Sequence, residues 1–164
     1  MGEHTQIIEL GDSTIRKLAK EVHELNLAEK KRIRDNAYHN TKLLMSNYHL
    51  LKAHCDIINE QISGDLLSGI WGDDRFQLST LMENKAKTSK LMNHVDRALE
   101  EFERKNPEGY TMLKMKYLNK NKLSDVDISV AYGTERSVVT KKLKHHLRQL
   151  SIILFGAEVI IADF

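Results

Sequence analysis

The chain has 164 residues, carries 25 Lys and Arg against 23 Asp and Glu for a net charge of +2, and is 41% apolar. One Pro, eight Gly and 29% charged residues read as a strongly helical, soluble chain, long enough for a helical domain plus a module of about fifty residues. A single cysteine, Cys55, excludes an intrachain disulfide framework and fits a reducing cytoplasm. The N-terminus has no leader-like apolar run, and the most apolar stretch, 147–155, is too short to cross a bilayer, so no membrane partner is expected.

Residues 1–11 read as a loosely held tail in which Ile7, Ile8 and Leu10 are the residues able to dock. From Asp12, a reasonable N-cap, the pattern turns helical, with Ile15, Leu18, Val22 and Leu25 three and four apart. A charged patch at 29–35 is expected to interrupt it. Then Ala37, Thr41, Leu44, Tyr48, Leu51, Cys55, Ile58 and Ile62 repeat at 4,3 spacing, flanked by Leu43, Leu50 and Ile57, which widen the apolar face. A break at 63–74, with three glycines around Trp71, precedes a second amphipathic helix carrying Leu78, Leu81, Met82, Met92, Val95, Leu99 and Phe102. The two would fold back as an antiparallel hairpin over 12–105, with Trp71 and Phe76 plugging its end. The surplus apolar width favours a homo-oligomer, a dimer before larger assemblies, although heptads this degenerate do not fix strand number.

Asn106, Pro107 and Glu108 mark a joint, since Pro stops helices and restricts the residue before it. Over 106–156 the apolar residues fall into three helical sets. Met112, Leu113, Met115, Tyr117 and Leu118 form a short helix broken by the polar run 119–122. Ser124 is a plausible N-cap for a second, 125–132, with Asp125 and Asp127 in its first turn and Val126, Ile128 and Val130 as its apolar candidates. Gly133 stops it, the chain restarts at Thr134 or Glu135, and Val139, Leu143, Leu147, Leu150 and Leu154 form the buried stripe of a third.

The predicted fold is therefore all-α: a long-helix hairpin, then a C-terminal helix-turn-helix module, then an apolar, acidic tail at 157–164. With Val139 and Leu143 inward, helical geometry turns Arg136, Ser137, Thr140, Lys141, Lys144 and His145 outward. Such side chains donate to base edges and phosphates, and Lys114, Lys116, Lys120 and Lys122 stand beside them as phosphate grips. Residues 111–150 contain nine Lys or Arg against Asp125, Asp127 and Glu135, a balance of +6 in a chain of +2. That asymmetry is the electrostatic footprint of a double-stranded DNA-binding module, although a Lys-rich helix face is often only solvated.

Residues 113–117, 128–133, Arg136, Ser137, Val139 and the Lys-rich helix closing at 150–156 are similar to the region 4 DNA-binding module of sigma-70 factors. Over 30–156 the chain more closely resembles the ArpU/RinA-like family of phage late-gene transcriptional regulators, with 37–51 and 74–102 matching that family's N-terminal helices. The resemblance implies a cytoplasmic transcriptional activator in a bacterial host, with double-stranded DNA as partner and RNA polymerase as a further candidate. Two positions depart from the pattern: Ser129 stands where Ala is usual, and Glu135 where a Ser or Thr cap is usual.

Enzyme chemistry has little to stand on. No phosphate-binding loop, dinucleotide fingerprint or nucleophile elbow is present, and the acidic pairs at 73–74 and 100–101 read as solvated helix ends. His49, His54 and Cys55 come closest to a ligand cluster, but Cys55 falls on the core stripe, so neither metal nor cofactor is expected. Two other readings use the same pattern: a small-terminase-like DNA-packaging adaptor assembled as a ring, and a helical protein-protein interaction module that never touches DNA.

Overall fold

The computed structural model describes residues 11–65, 78–156 and Val159, with side chains over 11–56, 83–156 and 159. All secondary structure among the described residues is helical: α1 (Asp12–Ser46), α2 (Tyr48–Asp65), α3 (Leu78–Lys105), α4 (Pro107–Leu113) running into a π-helical turn (Lys114–Leu118), α5 (Asp125–Ala131) and α6 (Arg136–Phe155). The expected docking of Ile7, Ile8 and Leu10 and the Trp71 and Phe76 plug lie outside the described residues. So do the side chains of Ile57, Ile58, Ile62, Leu78, Leu81 and Met82, and the tail 157–164 apart from Val159.

The charged patch at 29–35 does not break α1, correcting the expected interruption. Charged residues are good helix formers, and Arg32 donates to both carboxylate oxygens of Glu29 one turn away, at 2.7 and 2.9 Å. The break comes instead at Asn47, inside what the 4,3 spacing presented as one seam. Asn47 takes φ −103° and ψ 10°, and its backbone and side-chain nitrogens both reach the Leu43 carbonyl, ending α1 one residue before α2 begins. The α1 cap is Gly11 rather than Asp12.

α2 lies against α3, as the hairpin reading requires, fastened where Tyr48 Oη and Lys52 Nζ donate to the two oxygens of Asp96 at 2.7 and 2.6 Å. Burial and the Asp96 carboxylate push the Tyr48 phenol upward from its ordinary pKa. α6 is the axis of the rest, touching α1, α3, α4 and α5. Its stripe Val139, Leu143, Leu147, Leu150 and Leu154 is buried against Met45 of α1, Met92, Val95, Leu99 and Phe102 of α3, and Met112, Leu113 and Tyr117. The core thus crosses the joint at Asn106, joining residues from both sides of it.

That joint is itself built. Pro107 opens α4, Asn106 Oδ1 accepts from the Gly109 amide at 2.9 Å, and Asn106 Nδ2 donates to Gln149 Oε1 at 3.0 Å, tying the joint to α6. A side chain at Gly109 would place its Cβ 2.7 Å from His146 Nδ1, so the close approach of α4 to α6 requires glycine there.

Candidate nucleic-acid interface

The surface at issue begins with α5. Ser124 takes extended geometry as its N-cap and forms a reciprocal capping box: the Asp127 amide donates to Ser124 Oγ at 3.2 Å, and the Ser124 amide donates to Asp127 Oδ2 at 3.0 Å. Ser124 Oγ also donates to Asp127 Oδ2 at 2.6 Å, and this bond, with that from the Ser124 amide, holds the Asp127 carboxyl below the usual range. The inward face of α5 differs from expectation. Ile128 and Ser129 are buried, whereas Val126 and Val130 are exposed, Val130 at 77%. Residues 126, 128 and 130 alternate at a strand's period of two; on a helix Val126 and Val130 share one face and Ile128 lies on the opposite one, which is the face that is buried. Ser129, small enough for the α5–α6 contact, satisfies its hydroxyl on the Val126 carbonyl at 2.6 Å.

Gly133 adopts φ +59°, the left-handed conformation that the turn after α5 needs, and the Thr134 amide closes it on the Ser129 carbonyl at 3.0 Å. Glu135 is the N-cap of α6 but caps nothing with its side chain, which instead accepts from Ser137 Oγ at 3.3 Å. α6 therefore starts at Arg136, and its register follows. Arg136, Ser137, Thr140, Lys141, Lys144 and His145 are all exposed, with Val139 and Leu143 buried behind them.

The six are not equivalent. Thr140 Oγ1 donates to Asp125 Oδ2 at 2.7 Å and lies 3.1 Å from the Arg136 carbonyl, so its hydroxyl holds α5 to α6. Asp125 is the hub of that contact. Burial pushes its carboxyl up, but hydrogen bonds from Lys116 and Thr140, with the nearby Lys116 and Arg136 charges, outweigh it and keep the group ionised. Lys116, set out above as a phosphate grip, is thereby spent: its Nζ lies 2.6 Å from Asp125 Oδ1, and both side chains are largely covered. Lys122 donates to the Ser46 carbonyl at 3.1 Å, and the Lys114 ammonium sits 5.9 Å from the Tyr110 ring centre. Lys142 points the other way, toward Glu108 at 3.4 Å. Lys120, Lys141 and Lys144 are exposed with no ion-pair partner within 4.0 Å among the described residues.

α1 contributes a wall that the sequence had placed in the hairpin. Tyr38, Lys42 and Ser46 face Lys116, Asp125, Thr140 and Lys144 across a groove of about 350 Å³. Arg148, one turn beyond Lys144, has its guanidinium 6.0 Å from the Tyr38 ring centre. The exposed Lys42 ammonium and the Lys144 ammonium thus flank one groove. The i,i+4 pair Tyr38 and Lys42 was visible in the sequence, but nothing local says which helix it meets. No protein-family model, curated protein or solved structure matches the chain. Its chemistry must be read from these side chains.

Cations and the hydroxyls of Ser137 and Thr140 line this face of α6, Asp125 beside them is paired with Lys116 while Glu135 accepts from Ser137, and no group of three or more metal-ligating side chains occurs among the described residues. His49 packs edge-on against Tyr48 and Cys55 is a half-buried free thiol on the α2 face toward the core. Such a surface presents cations and hydrogen-bond donors to solvent. No helix among the described residues is long and apolar enough to cross a membrane.

Proposed function

We propose that the chain is a sequence-specific double-stranded DNA-binding protein that regulates transcription, and, as the family resemblance implies, an activator of phage late genes. The observation that carries this reading is the division of α6 into two faces. Five apolar residues on one side are no more than 8% exposed, while Ser137, Lys141, Lys144 and His145 occupy the other and Arg136 stands exposed at the helix start. In the proposed mechanism the first turns of α6 enter a major groove, where Arg136, Ser137 and Lys141 meet base edges and phosphates. Lys144 and Lys42, on either side of the groove against α1, take the adjacent phosphates with Lys120 and Lys122. Thr140 and Asp125 set the angle between α5 and α6 and do not read bases. RNA polymerase is the proposed second partner.

The test is fluorescence anisotropy on phage promoter DNA over a salt series. Lys141→Ala is expected to weaken binding and to flatten the slope of log K against log salt by about 0.9, one phosphate's worth. A parent slope left intact removes Lys141 from the interface. No association with duplex DNA at low salt overturns the reading in favour of a protein-interaction module, and a closed many-subunit ring by light scattering turns it toward a packaging adaptor.

A further inference from the structure

α1 and α6 meet antiparallel, and the residues along their contact keep step. Lys42 of α1 and Lys144 of α6 line the groove of about 350 Å³ from its two sides. One turn on, Tyr38 faces Arg148, whose guanidinium lies 6.0 Å from the ring centre. One turn further along α1, Arg34 lines a second hollow of about 270 Å³ with Arg148, Ser151 and Ile152, bordered by the buried Val159. The two hollows meet where Tyr38, which lines the first, faces Arg148, which lines the second. Each step of four residues advances a helix by about 6 Å, so the resulting cleft runs about 12 Å from Lys42 to Arg34.

Its charge is one-sided. Arg34, Lys42, Lys116, Lys144 and Arg148 line it, and the carboxylates beside them are Asp125 and Asp35, five cations against two anions. Asp125 is held by Lys116 and Thr140, while Asp35 is exposed, 4.0 Å from Arg34 Nε. Arg148 also continues the outward row of α6. At roughly 100° per residue it falls within the arc of about 60° that holds Ser137, Lys141 and Lys144, and like them it is exposed. Cations that face each other across a cleft repel, and an anion seated between them relieves the repulsion. Because the cations recur at each helical turn, the anion that suits them is one whose charges also recur.

We propose that this cleft holds the phosphate backbone of one strand of the bound duplex, with Arg34 and Arg148 gripping phosphates beyond those taken by Lys42 and Lys144. The inference rests on the duplex-binding reading of α6 and adds α1 to it as a second wall. Guanidinium suits the task, since its planar fork of donors matches two phosphate oxygens at once. The Tyr38 ring holds the Arg148 fork in place by a cation–π contact before any phosphate arrives. Phosphate contacts carry no sequence information, so the cleft supplies affinity and orientation while the first turns of α6 read bases.

Fluorescence anisotropy of the full chain, on a phage promoter duplex and on an unrelated duplex of the same length, tests this over a salt series. Arg148→Gln should flatten the slope of log K against log salt by about 0.9, and Arg34→Gln with Arg148→Gln by about 1.8. The loss should be the same factor on both duplexes, and Arg148→Lys should restore the slope. Because Arg148 is exposed, its Gln variant should keep the parent's helical signal and urea midpoint. A parent that binds while Arg148→Gln keeps the parent slope overturns the cleft and leaves the α6 reading standing. A loss confined to the promoter, or an Arg148→Lys chain that behaves like Arg148→Gln, overturns the phosphate assignment. A parent that binds neither duplex removes the α6 reading and the cleft with it.

Discussion

His146 is buried at the back of α6, edge-on to Phe102, with Nδ1 3.4 Å from both Asn106 Nδ2 and Gln149 Oε1 and no hydrogen-bond partner for Nε2 among the described residues. Burial lowers its pKa from 6.5, outweighing the Gln149 hydrogen bond that opposes it, with smaller contributions downward from His145 and Lys142 and upward from Glu108. The folded chain therefore takes up this proton at lower pH than the unfolded chain does. Stability is undiminished above about pH 6.5 and falls as pH drops through the interval between the unfolded and folded values. Urea midpoints should decline from pH 8 to pH 5.5, and His146→Gln should flatten that decline. Asp125 and Asp127, whose carboxyls are held below 3.8, act only at more acid pH and cannot mimic the effect. An unchanged pH profile in the variant would place the titration elsewhere. The neighbouring His145 was legible in the sequence as an outward residue, because its stripe mates fixed the register. Asp125 as the hub for Lys116 and Thr140 was not, since those bonds join residues nine and fifteen apart across two elements.

At the level of elements, α5 and its two boundaries set where α6 points. Ser124→Ala removes one half of the capping box and should cost about 1 kcal/mol. Gly133→Ala meets no neighbouring atom, so its cost is purely that of φ +59° for an L side chain, roughly 1–2 kcal/mol. Urea denaturation checks both, and a midpoint unmoved in either variant would show that the boundary is not what holds the turn. Both boundaries were readable beforehand, because Ser and Gly act through their own backbone and near neighbours. The face of α5 was harder to read: three alternating apolar residues in seven suggest burial without saying which face a helix chooses, and the choice fell on Ile128 with the small Ser129. Similarly, charges at 29–35 broke the apolar stripe of α1 without breaking its backbone, while the real break at Asn47 lay within an apparently unbroken seam. Stripe and backbone are separate properties, and only the first is written in hydropathy.

For the molecule as a whole, the decisive feature is a core shared across Asn106. Phe102, the last large buried residue of α3, and Leu150, near the end of the α6 stripe, belong to one cluster although the joint separates them in sequence. His94 of α3 also reaches the Leu154 carbonyl at 2.9 Å, and α1 lies on α6, so the buried side of α6 packs on what precedes Asn106. A helix hairpin and a separate basic module would unfold in two steps. One shared core unfolds in one. Phe102→Ala should therefore cost about 3–5 kcal/mol and Leu150→Ala about 2–5 kcal/mol, and each should displace the same single transition, followed both by far-ultraviolet helical signal and by tyrosine fluorescence. Substitution of Phe102 tests the point most sharply, because it lies on the hairpin side yet packs on the segment that carries the cationic face. If Phe102→Ala lowers one transition and leaves a second, later one in place, the segment after Asn106 folds by itself. Coincident curves for the two probes would instead mean that the α6 surface is presented only when α1 and α3 are in place behind it.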